Sequence, residues 1–206
     1  MIVLMRHAET EGGEGRCIGR TDLALSPEGR EQAAAVAGIL VDAGFWRLCS
    51  SPARRAVATL YPLVERLRFV PEIVAELNEI NMGSWDGLSF ARIKEQFPHA
   101  YAERGRCFAS FRPPSGESFA DVADRAMAAL GRMAEGRRPV LAVTHAGVIR
   151  SILCRLTGHS LDDLFHFKPG HVSCTVINPG EGGFRLVGTG LPAMEVLPLL
   201  GPILYQ

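Results

Sequence analysis

The chain lacks any surplus of charge, with 22 Lys plus Arg against 22 Asp plus Glu in 206 residues. Without a net field it cannot gather a polyanion or an acidic bilayer by long-range attraction, so neither nucleic acid nor membrane is an expected partner. Any anion must be caught locally, by a few converging cations. Cysteine is scarce and scattered: Cys17, Cys49, Cys107, Cys154 and Cys174 form an odd set with no CxxC pair. That argues against a disulfide framework or a zinc knuckle, and predicts buried, reduced thiols in a cytoplasmic protein. Long apolar runs are missing as well. Only Met1 to Met5 precede Arg6, too few for the apolar stretch of a signal peptide. The apolar residues 196–205 are interrupted by Pro198, Gly201 and Pro202 and fall short of the roughly 20 residues that span a bilayer. They read as a packed or dimer-contacting tail, which leaves a homodimer open.

The length suits one α/β domain over residues 1–206 with a modest insertion, and the 47% hydrophobic content supports a sizeable core. Ile2 to Met5 is apolar on both faces, as a buried parallel strand requires. A glycine-rich loop with Gly12, Gly13, Gly15 and Gly19 follows, and Ser26-Pro27-Glu28 opens a helix to about Asp42 that Gly44 ends. The pattern repeats. Trp46 to Ser50 reads as a strand, Ser51-Pro52 as the cap of a helix holding Arg54 and Arg55 in its first turn, and Pro139 to Thr144 as a third strand leading into a helix through Leu156. Alternation of this kind predicts a three-layer fold with a mostly parallel central sheet flanked by helices. Leu88 to Tyr101 and Phe119 to Glu135 look helical, separated by a Pro/Gly link at residues 112–116. The first is taken as a helical insertion, about residues 86–116, over the C-terminal edge of the sheet. His171 to Ile177 and Phe184 to Val187, around residues 178–183, predict a hairpin at the sheet margin.

Three strand ends are followed by Arg6-His7, Arg54-Arg55 and His145. In an open α/β sheet such positions gather at the carboxyl edge, where ligands bind, and helix amino ends add partial positive charge. Guanidiniums and imidazoles converging there suit a phosphoryl dianion. His7 alone is a weak signal, since a lone histidine after a strand is more often structural. Arg6 beside it either forms a surface ion pair or lowers the imidazole pKa so that the ring stays neutral and nucleophilic.

The segment Leu4-Met5-Arg6-His7-Ala8-Glu9-Thr10 resembles the Arg-His-Gly-Glu signature of the histidine phosphatase superfamily, which includes cofactor-dependent phosphoglycerate mutases. Four further blocks follow in order: Gly19 to Ser26, Ser51-Pro52-Ala53-Arg54-Arg55-Ala56, Glu76 to Gly87, and Thr144-His145-Ala146-Gly147. Five ordered blocks are far more specific than any one. Carried over position by position, the resemblance implies His7 as nucleophile, Glu79 as proton donor, and His145, Arg6 and Arg55 as phosphate ligands. Thr10 either bonds phosphate or caps a turn, and Gly19 either offers its N–H to phosphate or makes a turn. The resemblance implies no metal and no other cofactor. Arg54 is read as a neighbour, Glu117-Ser118 as a helix start, Trp85 as packing, and His99, His159, His166 and His171 as ordinary surface or core residues.

The departures also inform. Ala8 and Gly13 stand where many members carry Gly and Asn, and Ile80 stands where the mutases carry Arg. No Arg-rich segment for a substrate carboxylate is found in a longer insertion. Hydrolysis of a small phosphorylated metabolite is therefore favoured over mutase transfer, with the second block resembling the α-ribazole phosphatase branch and hence α-ribazole 5′-phosphate as a candidate. The alternatives are a phosphoglycerate mutase or a broad-specificity sugar-phosphate phosphatase, and a phosphate-binding signalling module without catalysis.

Overall fold

The structure, a computed structural model, describes residues 1–201, so the end of the apolar tail, residues 202–206, lies outside the described residues. Its centre is a six-stranded sheet in the order β3-β2-β4-β1-β5-β6. β1 (Ile2–Arg6), β2 (Arg47–Ser50), β3 (Glu72–Ile73) and β4 (Val140–Thr144) run parallel, and β5 (Cys174–Gly180) returns antiparallel beside β1. β6 (Gly183–Leu191) pairs antiparallel with β5. The register Ile2↔Val140 to Arg6↔Thr144 ends β1 and β4 at the same height. His7 and His145 therefore leave the sheet side by side.

Alternation along the strands builds two cores. Val3, Met5, Leu141 and Val143 point to one face, where α1 (Pro27–Leu40), α2 (Arg54–Leu67) and α7 (Ala193–Leu200) cover them. Ile2, Leu4, Val140 and Ala142 point to the other, beneath α5 (Phe119–Glu135) and α6 (Ala146–Thr157). This is the three-layer arrangement predicted, and the unbroken apolar runs of β1 and β4 follow from burial on both faces. No helix among the described residues is long and apolar enough to cross a membrane.

Several expectations need correction. The helix read over residues 88–101 is two helices, α3 (Phe90–Gln96) and α4 (Pro98–Arg106). Pro98 has no N–H and disfavours helical geometry at Phe97, which sits at φ −131°, ψ 54°. Ser51-Pro52 does not cap α2. That helix starts at Arg54 with Ala53 as its uncapped N-cap, and the Ser51 hydroxyl is used elsewhere. β3, two exposed residues on the sheet edge, was not expected, because a strand so short has no alternation to read. The hairpin turn is tighter than six residues: Gly180 pairs with Gly183, leaving only Glu181 and Gly182 between. Four cysteines are buried and all five are free thiols, but Cys107 is exposed.

Candidate active site

At the carboxyl ends of β1, β2 and β4 lies a cavity of about 540 Å³. Five arginines line it (Arg6, Arg16, Arg55, Arg104, Arg150) against three glutamates (Glu9, Glu14, Glu79), with His7 and His171 between them. The chain without net charge thus has a locally cationic pocket. Phe90 reaches it from α3 and Arg104 from α4, and Phe119 and Phe165 supply apolar wall.

His7 follows β1 directly and is 7% exposed. Its Nδ1 lies 2.7 Å from the Ala8 carbonyl oxygen. A carbonyl can only accept, so Nδ1 carries the proton and Nε2 of the neutral ring keeps a lone pair. No hydrogen bond is made by Nε2 among the described residues. The imidazole pKa falls from 6.5 to about 3; burial is the largest cause, the hydrogen bond to Ala8 opposes it, and Arg55 and then Arg6 and His171 add to it. Arg6 thus has the expected effect on His7, but as a minor contributor behind desolvation.

Arg6, the last residue of β1, donates from Nη1 to the Pro169 carbonyl at 3.0 Å. Its Nε is buried and, among the described residues, has no hydrogen-bond partner. A buried donor left unpaired costs roughly 1–3 kcal/mol. Arg55 is 2% exposed and heavily engaged. It donates from Nη1 to the Thr21 carbonyl (2.9 Å), from Nη2 to the Gly19 carbonyl (2.8 Å) and from Nε to His145 Nδ1 (3.2 Å). The second N–H on each terminal nitrogen has no partner among the described residues.

His145 is fully buried, its ring centroid 5.2 Å from that of His7. Because Arg55 can only donate, Nδ1 is the acceptor and the proton sits on Nε2, which lies 2.7 Å from Ser51 Oγ. Burial, followed by Arg55 and His7, holds its pKa well below the usual value. Both ring nitrogens are engaged within the fold, and His145 is not among the residues that line the cavity. It lies against Arg55, which donates to it.

Glu79, 8% exposed, lies in the loop between the 3₁₀ turns Ala75–Leu77 and Gly83–Trp85. Its carboxylate accepts from Ile80 N at 2.9 Å and from Gly147 N, in the first turn of α6, at 3.2 Å. A Cβ on Gly147 would overlap Glu79 Oε1. The glycine of the Thr-His-Ala-Gly block is therefore what lets the carboxylate lie against the helix end. Thr10 lines the cavity and pairs in an isolated bridge with Leu25. Gly19 is not in the lining. Its N–H donates to Asp86 Oδ1 at 2.9 Å, and a Cβ there would run into the Ile80 carbonyl. Its amide is spent on the scaffold rather than offered to phosphate.

Four groups were missed. His171, read as an ordinary residue, sits with its ring 5.7 Å from that of His7 and lines the cavity. Burial, then Arg6, lowers its pKa, while Glu9 opposes the shift. Arg150, one turn along α6, donates from Nε to the Phe167 carbonyl and rests over the Phe165 ring at 4.9 Å. Asp86 accepts from Gly19, Arg20 and Thr21 backbone N–H and from the Thr21 hydroxyl, tying down the loop whose carbonyls hold Arg55. Glu117 accepts from Arg20, Arg125 and Asn81, and the two arginines in turn donate to the Glu79 carbonyl. Ser118 does cap α5, with a full capping box to Asp121. Trp85 packs against Phe97, Tyr101 and Phe111. Arg54 faces a separate cavity of about 810 Å³ between α1 and α2, whose lining includes none of Arg6, His7, Arg55, Glu79 and His145.

A sequence profile described as "Histidine phosphatase superfamily (branch 1)" matches residues 2–191. The chain is 33% identical over 172 residues to a glucosyl-3-phosphoglycerate phosphatase of Mycolicibacterium vanbaalenii, covering 79% of this chain and 76% of that protein. It is 37% identical over 167 residues to a metal-independent phosphoserine phosphatase of Arabidopsis thaliana, covering 76% and 68%. Among solved structures, a mycobacterial glucosyl-3-phosphoglycerate phosphatase superposes with a TM-score of 0.80 at 29% identity, over 92% of this chain and 98% of that one. An α-ribazole phosphatase from Shigella flexneri superposes with a TM-score of 0.83 at 24% identity, over 92% and 95%, a likeness of fold alone.

Proposed function

The chain belongs to branch 1 of the histidine phosphatase superfamily, and on that premise we propose that it hydrolyses phosphomonoesters without a metal, through a phosphohistidine on His7 Nε2. The enzyme acts on small phosphorylated metabolites. The observation that carries the chemistry is the 2.7 Å contact between His7 Nδ1 and the Ala8 carbonyl, which leaves the lone pair on Nε2 of a residue that lines a cationic cavity.

Nε2 attacks phosphorus in line as the bond to the leaving oxygen breaks. Arg6 and the remaining N–H groups of Arg55 neutralise the non-bridging oxygens as charge shifts in the transition state. His171, its ring 5.7 Å from that of His7, offers a further ring nitrogen in the same cavity. Glu79 delivers a proton to the departing alcohol. As carboxylate it then takes a proton from water, whose oxygen attacks phosphorus while the P–N electrons return to Nε2. His145 contributes by fixing Arg55, with Ser51 holding its other ring nitrogen. The charge a divalent ion would supply is supplied by arginine.

For the leaving group we favour a phosphate ester that also bears a carboxylate. Arg16, Arg104 and Arg150 line the same cavity beyond the arginines assigned to phosphate. The curated relatives named for glucosyl-3-phosphoglycerate and for phosphoserine act on compounds of that kind, whereas the α-ribazole likeness is one of fold. The test is phosphate release from an aryl phosphate in excess chelator, followed by a panel with phosphoserine, glucosyl-3-phosphoglycerate, neutral sugar phosphates and α-ribazole 5′-phosphate. Turnover lost with His7→Ala supports the chemistry, and undiminished turnover by that variant removes it. A preference for α-ribazole 5′-phosphate or for neutral sugar phosphates removes the carboxylate reading and leaves the chemistry standing.

A further inference from the structure

We propose that His159, Asp163 and His166 bind a divalent transition-metal ion of the zinc, nickel or copper type on the surface, outside the phosphate pocket. Their ligand atoms, one from each residue, all lie within 4.8 Å of one another. Among the described residues no other group of three His, Cys, Asp or Glu side chains comes as close. His159 Nε2 and Asp163 Oδ2 are already 3.0 Å apart, and the rings of His159 and His166 stack at 4.5 Å between centroids.

The backbone explains how three positions so spaced converge. α6 ends at Gly158 in the left-handed conformation, His159 follows, and Ser160 caps the 3₁₀ turn Leu161–His166. Inside that turn Asp163 leaves helical geometry, at φ −117° and ψ 36°. The kink allows the carboxylate to meet a histidine before the turn, with the second histidine at the turn's end. Ligand atoms around a tetrahedral ion at about 2.0–2.1 Å stand roughly 3.4 Å apart. Asp163 and His166 are exposed and free to close by that small amount.

The donor set selects the ion. Two imidazoles and one carboxylate suit zinc, nickel or copper, while calcium and magnesium prefer oxygen alone. Three protein ligands leave the remaining positions to water. The ion would link the residue after α6 to the end of the 3₁₀ turn, on a segment whose Phe165 lines the phosphate pocket. It would stiffen that wall from outside.

The experiment is calorimetric titration of the untagged full chain with zinc sulfate at pH 7.5, with visible absorption of the cobalt(II) form and thermal unfolding alongside. We expect one ion per chain, retained in His7→Asn and weakened at least tenfold in His159→Asn and in His166→Asn. Both surface variants should keep aryl-phosphate turnover. Zinc at about a hundred times its dissociation constant should raise Tm by roughly 5–10 °C. No binding by the parent chain, equal binding by His166→Asn, or loss of binding in His7→Asn would each overturn the site.

Discussion

The buried imidazole of His7 makes a quantitative prediction about stability in acid. Its pKa is about 3 folded against 6.5 for the free side chain. As pH falls below 6.5 the unfolded chain takes up a proton at this position and the folded chain does not. Stability is therefore lost progressively from pH 6.5 down toward pH 3, and is unaffected above that window. At pH 5 the unfolded imidazole is protonated roughly thirty to one, which corresponds to about 2 kcal/mol lost relative to pH 7.5. In a chain of this length that amounts to a fall in Tm of about 4–8 °C. The perturbation that isolates it is His7→Asn, whose amide can still donate to the Ala8 carbonyl but does not titrate. Its absolute stability will differ from the parent, so the quantity to compare is the change between the two pH values. His145 resists protonation in the same direction in both proteins, because burial and Arg55 outrank His7 among its causes. Thermal unfolding at pH 5.0 and 7.5, at constant ionic strength and without phosphate, should show the parent losing about 2 kcal/mol more than the variant. Equal losses would refute a neutral, desolvated His7.

Three substitutions probe the supports around it. Gly147→Ala forces a methyl against Glu79 Oε1, and should cut kcat by about two orders of magnitude or more, within the range of a general acid's contribution, with inorganic phosphate binding retained; steady-state kinetics with product inhibition separates the two. Ser51→Ala leaves the buried Nε2–H of His145 unpaired, at a cost of about 1–3 kcal/mol in urea unfolding, and Ser51→Thr, which keeps a hydroxyl, should recover much of it. Asp86→Ala frees the backbone of residues 19–21 and with it the carbonyls that hold Arg55, so KM for the aryl phosphate should rise several-fold while the α-helical circular dichroism is unchanged.

The fold was legible where burial leaves a local trace. The apolar runs of β1 and β4, the Ser26-Pro27 start of α1 and the Ser118 cap of α5 are short-range signals, and each appears near where it was expected. The two-residue β3 carries no pattern, and the break at Phe97-Pro98 was overridden by the apolar spacing around it. The pocket was legible through its motifs: His7, Arg6, Arg55 and Glu79 line one cavity. What the motifs could not reveal is which hydrogen bonds each member has already made. Ser51 looks like a helix cap and bonds His145 instead, and His145 spends both nitrogens on Ser51 and Arg55. His171 comes in from the loop before β5 with no neighbouring motif to mark it, and Arg150 owes its place to one turn of α6. Such partners are separated by tens of residues, and only the folded chain brings them together.

The central claim is that His7 Nε2 carries the phosphoryl group between substrate and water. Rapid-quench trapping of the enzyme with a 32P-labelled aryl phosphate tests it most directly, with the label followed through acid and base and located by peptide mass spectrometry. One phosphoryl group per chain on the peptide containing His7, labile to acid and stable to base, is the predicted result. Turnover without any such adduct, in an enzyme whose Glu79→Gln variant should accumulate it, would contradict the account.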